Sequence, residues 1–111
     1  MAGVTGCWVA YTTVDSKENA EELADRLVIE KLVACATIVG PVESVYEWQG
    51  EIEHAAEWML MMKCADEQLL GLKNAVAAWH GYAVPELIVL PVVDGHAPYL
   101  EWVRASARGK A

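Results

Sequence analysis

Three side chains in this sequence have the chemistry to hold a metal ion: the imidazole of His80, the thiol of Cys35 and the carboxylate of Glu86. Copper is the ion such donors favour, since it heads the affinity order for nitrogen ligands and its reduced form prefers thiolates. One imidazole per subunit cannot fill a tight zinc site, so divalent binding is expected to be weak. Each residue also has a plainer reading. His80 stands at the end of a helical stretch, where it complements the helix dipole as a capping residue. Cys35 lies among alanines, where a free thiol packs as a small apolar group. Glu86 follows Pro85 at the start of a strand, and its carboxylate needs a partner, with Lys63 or Arg26 the nearest choice. As functional groups these residues would face a cleft between subunits, with Tyr82, Lys63 and Trp102 as further ligand contacts.

Other combinations carry less. Glu43, Glu47, Glu51, Glu53 and Glu57 fall in a stretch without lysine or arginine from Leu32 to Met62. Such a run reads as a solvated face, and nothing in it has the spacing of an EF-hand loop. Glu53 and His54 are neighbours in a strand, so they point to opposite faces and cannot act as an acid/base pair. His54 and His96 have no ligand-spaced neighbour. The sequence contains no Ser-His-Asp order, phosphate-cradling glycine loop or H-E-x-x-H. Neither an enzyme nor an organic cofactor is expected.

The elements that must position these groups follow from pattern. Gly6 to Val14 is apolar and β-branched, a buried strand. Asp15, three residues before Glu18, predicts a capping box that opens a helix. Ala20, Leu23, Ala24, Leu27 and Lys31 then step at three and four along one face. Ala34 to Trp48 reads as a strand bent or bulged at Gly40-Pro41. Gln49-Gly50 is a turn, and Glu51 to Lys63 returns as the second arm of a long hairpin. Trp58, Leu60 and Met62 point one way and Met59 and Met61 the other, so both faces of this strand are apolar. Asp66 is the expected cap of the next helix, with Leu69, Leu72, Val76 and Trp79 inward and Gly81 as its stop. Glu86 to Val93 reads as the last strand, before the turn Asp94-Gly95. Pro98 suits the first turn of a closing helix carrying Leu100, Trp102 and Val103.

The order β-α-β-β-α-β-α defines an α+β ferredoxin-like sandwich, here as a single domain over residues 1–111. Helices on one sheet face leave the apolar second face of the Trp58–Met62 strand for another subunit. Tyr46, Trp48, Trp58, Met59 and Met61 are the expected interface residues. Composition agrees: the 111 residues are 55% hydrophobic and only 22% charged, more apolar surface than one small core hides. The formal charge is −8, and Arg104, Arg108 and Lys110 crowd the C-terminus. Such a charge opposes nucleic acid and anionic membranes as partners. Met1 to Ala10 lacks the pattern of a signal peptide, and the longest apolar run is far below a membrane span. Cys7, Cys35 and Cys64 are widely spaced and expected to stay thiols, which points to a reducing, cytoplasmic setting.

Ala34-Cys35, Ser44, Tyr46, Trp48, Gly50, Glu53, Glu57 and Lys63 together resemble the signature of the CutA divalent-ion tolerance family. His80, Tyr82, Val84-Pro85-Glu86, Tyr99-Leu100 and Trp102 extend the resemblance over nearly the whole chain. It implies a ferredoxin-like homotrimer with hairpins paired between subunits, a cytosolic location, and binding of copper or another divalent ion. Some bacterial members hold copper through a cysteine and a His-His pair, and the matching positions here are Tyr11, Trp79 and His80. One of the three ligands remains. The alternative layout is a trimeric small-molecule sensor similar to the PII proteins, with ligands in the intersubunit clefts.

Overall fold

The computed structural model describes residues 4–108. Lys110 and the first residues of the Met1–Ala10 segment lie outside the described residues. Strand β1 covers Cys7–Val14, helix α1 Lys17–Ile29, strand β2 Cys35–Trp48 and strand β3 Glu51–Ala65. A single 3-10 turn at Asp66–Gln68 leads into helix α2, Leu69–Trp79, followed by strand β4, Ile88–Pro91, and helix α3, Ala97–Ser106. The four strands form one antiparallel sheet in the order β2-β3-β1-β4. This is the expected ferredoxin-like arrangement.

Local chemistry sets the ends of these elements, in places differently from expectation. The first helix is capped by Ser16, whose hydroxyl accepts the Asn19 amide at 3.1 Å. Asp15 instead accepts from the Asn19 side chain at 2.7 Å. Asp66 does not cap α2 but accepts the indole N–H of Trp8, and Gln68 reaches back to the Ala65 amide at 2.8 Å. Gly81 is not a left-handed stop: α2 ends because His80 turns extended, at φ −71° and ψ 148°. The last strand is only four residues long, so Glu86 precedes it, and Pro91, which has no N–H to donate, ends it. The hairpin turn is as expected, with Gln49 and Gly50 at φ 52° and 83°, the left-handed pair that matches the twist of adjoining strands.

Cross-strand register divides the sheet into two faces. Ala10, Leu60, Met62 and Cys64 point to the side covered by α1 and α2, all 0% exposed, and meet Leu23, Leu27, Leu72 and Val76 there. On the other side, rows run across the strands: Ile88, Tyr11, Met61 and Thr37; Leu90, Val9, Lys63 and Cys35. The helices do not all cover one face. Helix α3 lies over one end of this second face, packing Leu100 and Val103 on Cys7. Trp102 is turned outward and stacks on Tyr99 at 5.8 Å.

The bulge expected at Gly40-Pro41 is a register shift between Val39 and Val42. It brings the Gly40 backbone onto Trp58, which packs on the core side of β3 under the Lys17 ammonium. A Cβ at position 40 would lie 2.5 Å from the indole. Gly40→Ala should therefore cost about 1–3 kcal/mol as an overpacked site. Thermal unfolding measures it, and an unchanged midpoint would show that Trp58 has room to move.

Candidate functional site

The most unusual group of the second face is a carboxylate. Glu57 is only 8% exposed, although it belongs to the acidic hairpin run read as solvated. Its Oε1 accepts the Ser44 hydroxyl at 2.6 Å and its Oε2 accepts the Tyr82 hydroxyl at 2.7 Å. Two charge-assisted hydrogen bonds offset the loss of water around a buried anion. Burial and the bond to Glu57 both push the Tyr82 phenol well above its ordinary range, so it stays a donor. The one-residue shift at the bulge puts Ser44 on the same face as Glu57. Alternation along β3 already puts Glu57 on the face of Met59 and Met61; the sequence does not show that Tyr82 and Ser44 reach it there.

Tyr82 is in turn held by His80. Its amide donates to His80 Nδ1 at 3.1 Å, and the two rings lie 4.8 Å apart. The other ring nitrogen, Nε2, meets the Thr13 carbonyl at 2.8 Å. Thr13 also donates its hydroxyl to Glu86 Oε1 at 3.5 Å. Neither Lys63 nor Arg26 is the partner of Glu86, whose side chain is exposed before β4. The Arg26 guanidinium lies over Trp79, 3.7 Å from the ring centroid. That pair walls a groove of about 410 Å³ between α1 and the His80–Tyr82 turn, rimmed by Asp15, Glu22 and Asp25.

The other expected site residues sit at the far end of the face. Cys35 is opposite Lys63, and its thiol is 3.5 Å from the Tyr99 hydroxyl. That contact, with burial, raises the Tyr99 phenol to about 12. Lys63 donates to Thr37 Oγ1 at 3.0 Å and to the Met61 carbonyl. Among the described residues it has no carboxylate within ion-pair distance. Beside it, Val9, Val92, Leu100 and Val103 line an apolar pocket of about 210 Å³. Cys7 and Cys64 are buried on opposite faces and are free thiols, and burial raises Cys64 to about 12.

Within one chain these positions do not come together. Cys35 lies opposite Lys63, and Thr13, which holds Glu86, lies opposite Met59. Four residues of strand separate the two ends, roughly 13 Å. No group of three His, Cys, Asp or Glu side chains with ligating geometry exists among the described residues. Tyr11 is in the row with Met61 and Ile88, away from Trp79 and its covering guanidinium. The donor set does not fit the copper site implied by the resemblance.

The CutA1 divalent ion tolerance protein family matches residues 8–106. The chain belongs to this family. It is 44% identical to the chloroplastic CutA of Arabidopsis thaliana over 90% of its own length and 55% of the relative's. The chain thus spans about half the length of that curated relative. The crystal structure of CutA1 from Oryza sativa is 42% identical, with a TM-score of 0.89 over 94% of this chain and 95% of that one. A CutA from Nostoc, described as a PII-like protein in apo form, is 33% identical. Its TM-score is 0.83, over 90% of this chain and 96% of that one. The CutA fold is therefore present in this chain, and its structural neighbours include a protein described as PII-like.

Removing the hydroxyl that holds Glu57 tests this polar centre. Tyr82→Phe should cost about 1 kcal/mol at neutral pH, below the ~1.5–3 kcal/mol usual for a bond to a charged group because the phenol is partly exposed. The raised phenol makes the sign explicit: its stabilisation is complete below the unfolded tyrosine value near 10. It is lost as pH rises through the folded value, because the unfolded chain then releases a proton that the folded one keeps. Urea unfolding at pH 7 and above pH 10 should show the gap between wild type and variant closing.

Proposed function

We propose that this CutA chain acts in divalent-cation tolerance as a homotrimer with a PII-like layout, in the cytoplasm. The observation that carries the reading is the second sheet face. Met59 and Met61 are half-buried there, flanked by Val39 at 41%, Ile88 at 40% and Leu90 at 47% exposure. A continuous apolar sheet face of this kind calls for another protein surface. At the hairpin tip, Tyr46 and Trp48 are 47% and 61% exposed and supply further contact. A second copy of the same chain fits best, because family resemblance implies a trimer and the face is bounded by elements of this chain. Each interface would exceed the roughly 1,200 Å² typical of specific contacts.

The ligand of such an assembly, an ion or a small molecule, would bind in the clefts between copies. The Lys63 ammonium, without an ion-pair partner among the described residues, lines the apolar pocket under α3 with Asp94 at its edge. It would favour a small anionic molecule with an apolar body there. Tyr99 on α3 lines the pocket, and Trp102 stacks on Tyr99 from outside. Copper, the expected ion, would then act weakly and at a place other than a closed three-residue centre. The role is one of binding rather than catalysis. Three free thiols support a reducing compartment, and no described helix is long and apolar enough to cross a membrane.

Sedimentation equilibrium should give three times the 12.1 kDa of one chain. Met61→Asp should release folded monomers, because each buried unpaired carboxylate costs several kcal/mol at an interface. A stable wild-type monomer at micromolar concentration would contradict the proposal.

A further inference from the structure

The chain's one histidine in the polar centre is the residue most readily taken for a metal ligand, and its bonds say otherwise. The Tyr82 N–H, 3.1 Å from Nδ1, can only donate, so Nδ1 is an acceptor without a proton. The Thr13 carbonyl, 2.8 Å from Nε2, can only accept, so Nε2 carries the proton. Binding an ion requires a lone pair on one of these nitrogens. The lone pair of Nδ1 is already used, and Nε2 faces a backbone oxygen with its hydrogen. His80 as a residue is only 9% exposed, and its ring is flanked by Tyr82. Its backbone amide closes α2 on the Val76 carbonyl at 3.0 Å.

We infer that His80 is a positioning residue: as the neutral Nε2–H tautomer it ties β1 to the turn after α2 and aims Tyr82 at Glu57, and it does not capture metal. A continuous series of bonds follows, from Thr13 through His80, Tyr82 and Glu57 to Ser44. It joins β1, β3 and β2 to the end of α2. The base of the hairpin is thereby fixed to the sheet from which it projects. The tolerance role of this chain accordingly does not run through ion ligation at this histidine. This holds whether or not the trimer proposed above forms.

Two measurements on the full chain test it. Long-range ¹H–¹⁵N spectra of the His80 ring should show one protonated nitrogen at Nε2 and an unprotonated Nδ1. One equivalent of Zn(II), a diamagnetic probe, should leave both signals in place; a zinc-induced shift of either would overturn the inference. In the second, His80→Gln keeps a donor for Thr13 and an acceptor for Tyr82, while His80→Ala keeps neither. The Ala variant should lose about 5–10 °C of unfolding midpoint and show a displaced ¹³C carboxyl signal for Glu57. The Gln variant should restore both. Calorimetric titrations with Cu(II) should superimpose for wild type and Gln, and copper binding lost in the Gln variant would refute the positioning role. If the Ala variant does not fold, the wild-type spectrum and the Gln titration still decide.

Discussion

Strand β3 carries a different set of residues on each side, and its register fixes where both sets go. One set of alternate residues, Leu60, Met62 and Cys64, is wholly enclosed by α1 and α2. The other set, Glu57, Met59, Met61 and Lys63, faces away from those helices. A strand has only one period-two pattern, so a one-residue slip would exchange the two sets. The antiparallel pairing with β1 over eight residue pairs holds the register against that slip. Everything on the second face takes its place from it. Helix α3 closes one end over Cys7, and the Glu57–Tyr82 centre closes the other. The stretch between them is apolar and unpartnered within the chain.

Much of this was legible from residue types. The hairpin, its turn and the two helices over the core follow from alternation, from Gln49-Gly50 and from three-and-four spacing. The double apolar character of Trp58 to Met62 was visible too, and the structure does place Met59 and Met61 on the face away from α1 and α2. What could not be read depended on tertiary detail. The bulge at Gly40-Pro41 was expected, but not the approach of Ser44 and Tyr82 to Glu57, so Glu57 passed as one more solvated acid. Asp15 and Ser16 are both good capping residues, and only the backbone decides between them. The closing helix was readable, but nothing in its pattern said which sheet face it would meet.

The site residues divide in the same way. His80 and Tyr82 stand out by type, and the structure brings them together with Glu57, Ser44 and Thr13 in one bonded series. Cys35 and Lys63 are brought together at the other end, with Tyr99. The sequence could not tell that these are two separate groups, because a single chain length says nothing about which ends of antiparallel strands coincide. The histidine illustrates the physical point. An imidazole has two nitrogens, and once a backbone donor and a backbone acceptor take one each, its potential as a ligand is used up by structure. Family membership therefore carries the fold to this chain more securely than it carries a metal site.

The proposed trimer requires that other copies of the chain cover the Met59 and Met61 face in solution. Methionine oxidation reads that directly, because thioether sulfur reacts with peroxide according to its access to solvent. The native protein is exposed briefly to hydrogen peroxide and oxidation is quantified at each methionine. If the face is covered, Met59 and Met61 resist oxidation as fully as Met62, which is 0% exposed within one chain. Rapid oxidation of Met59 and Met61 while Met62 stays intact would show the face open to water and contradict the account.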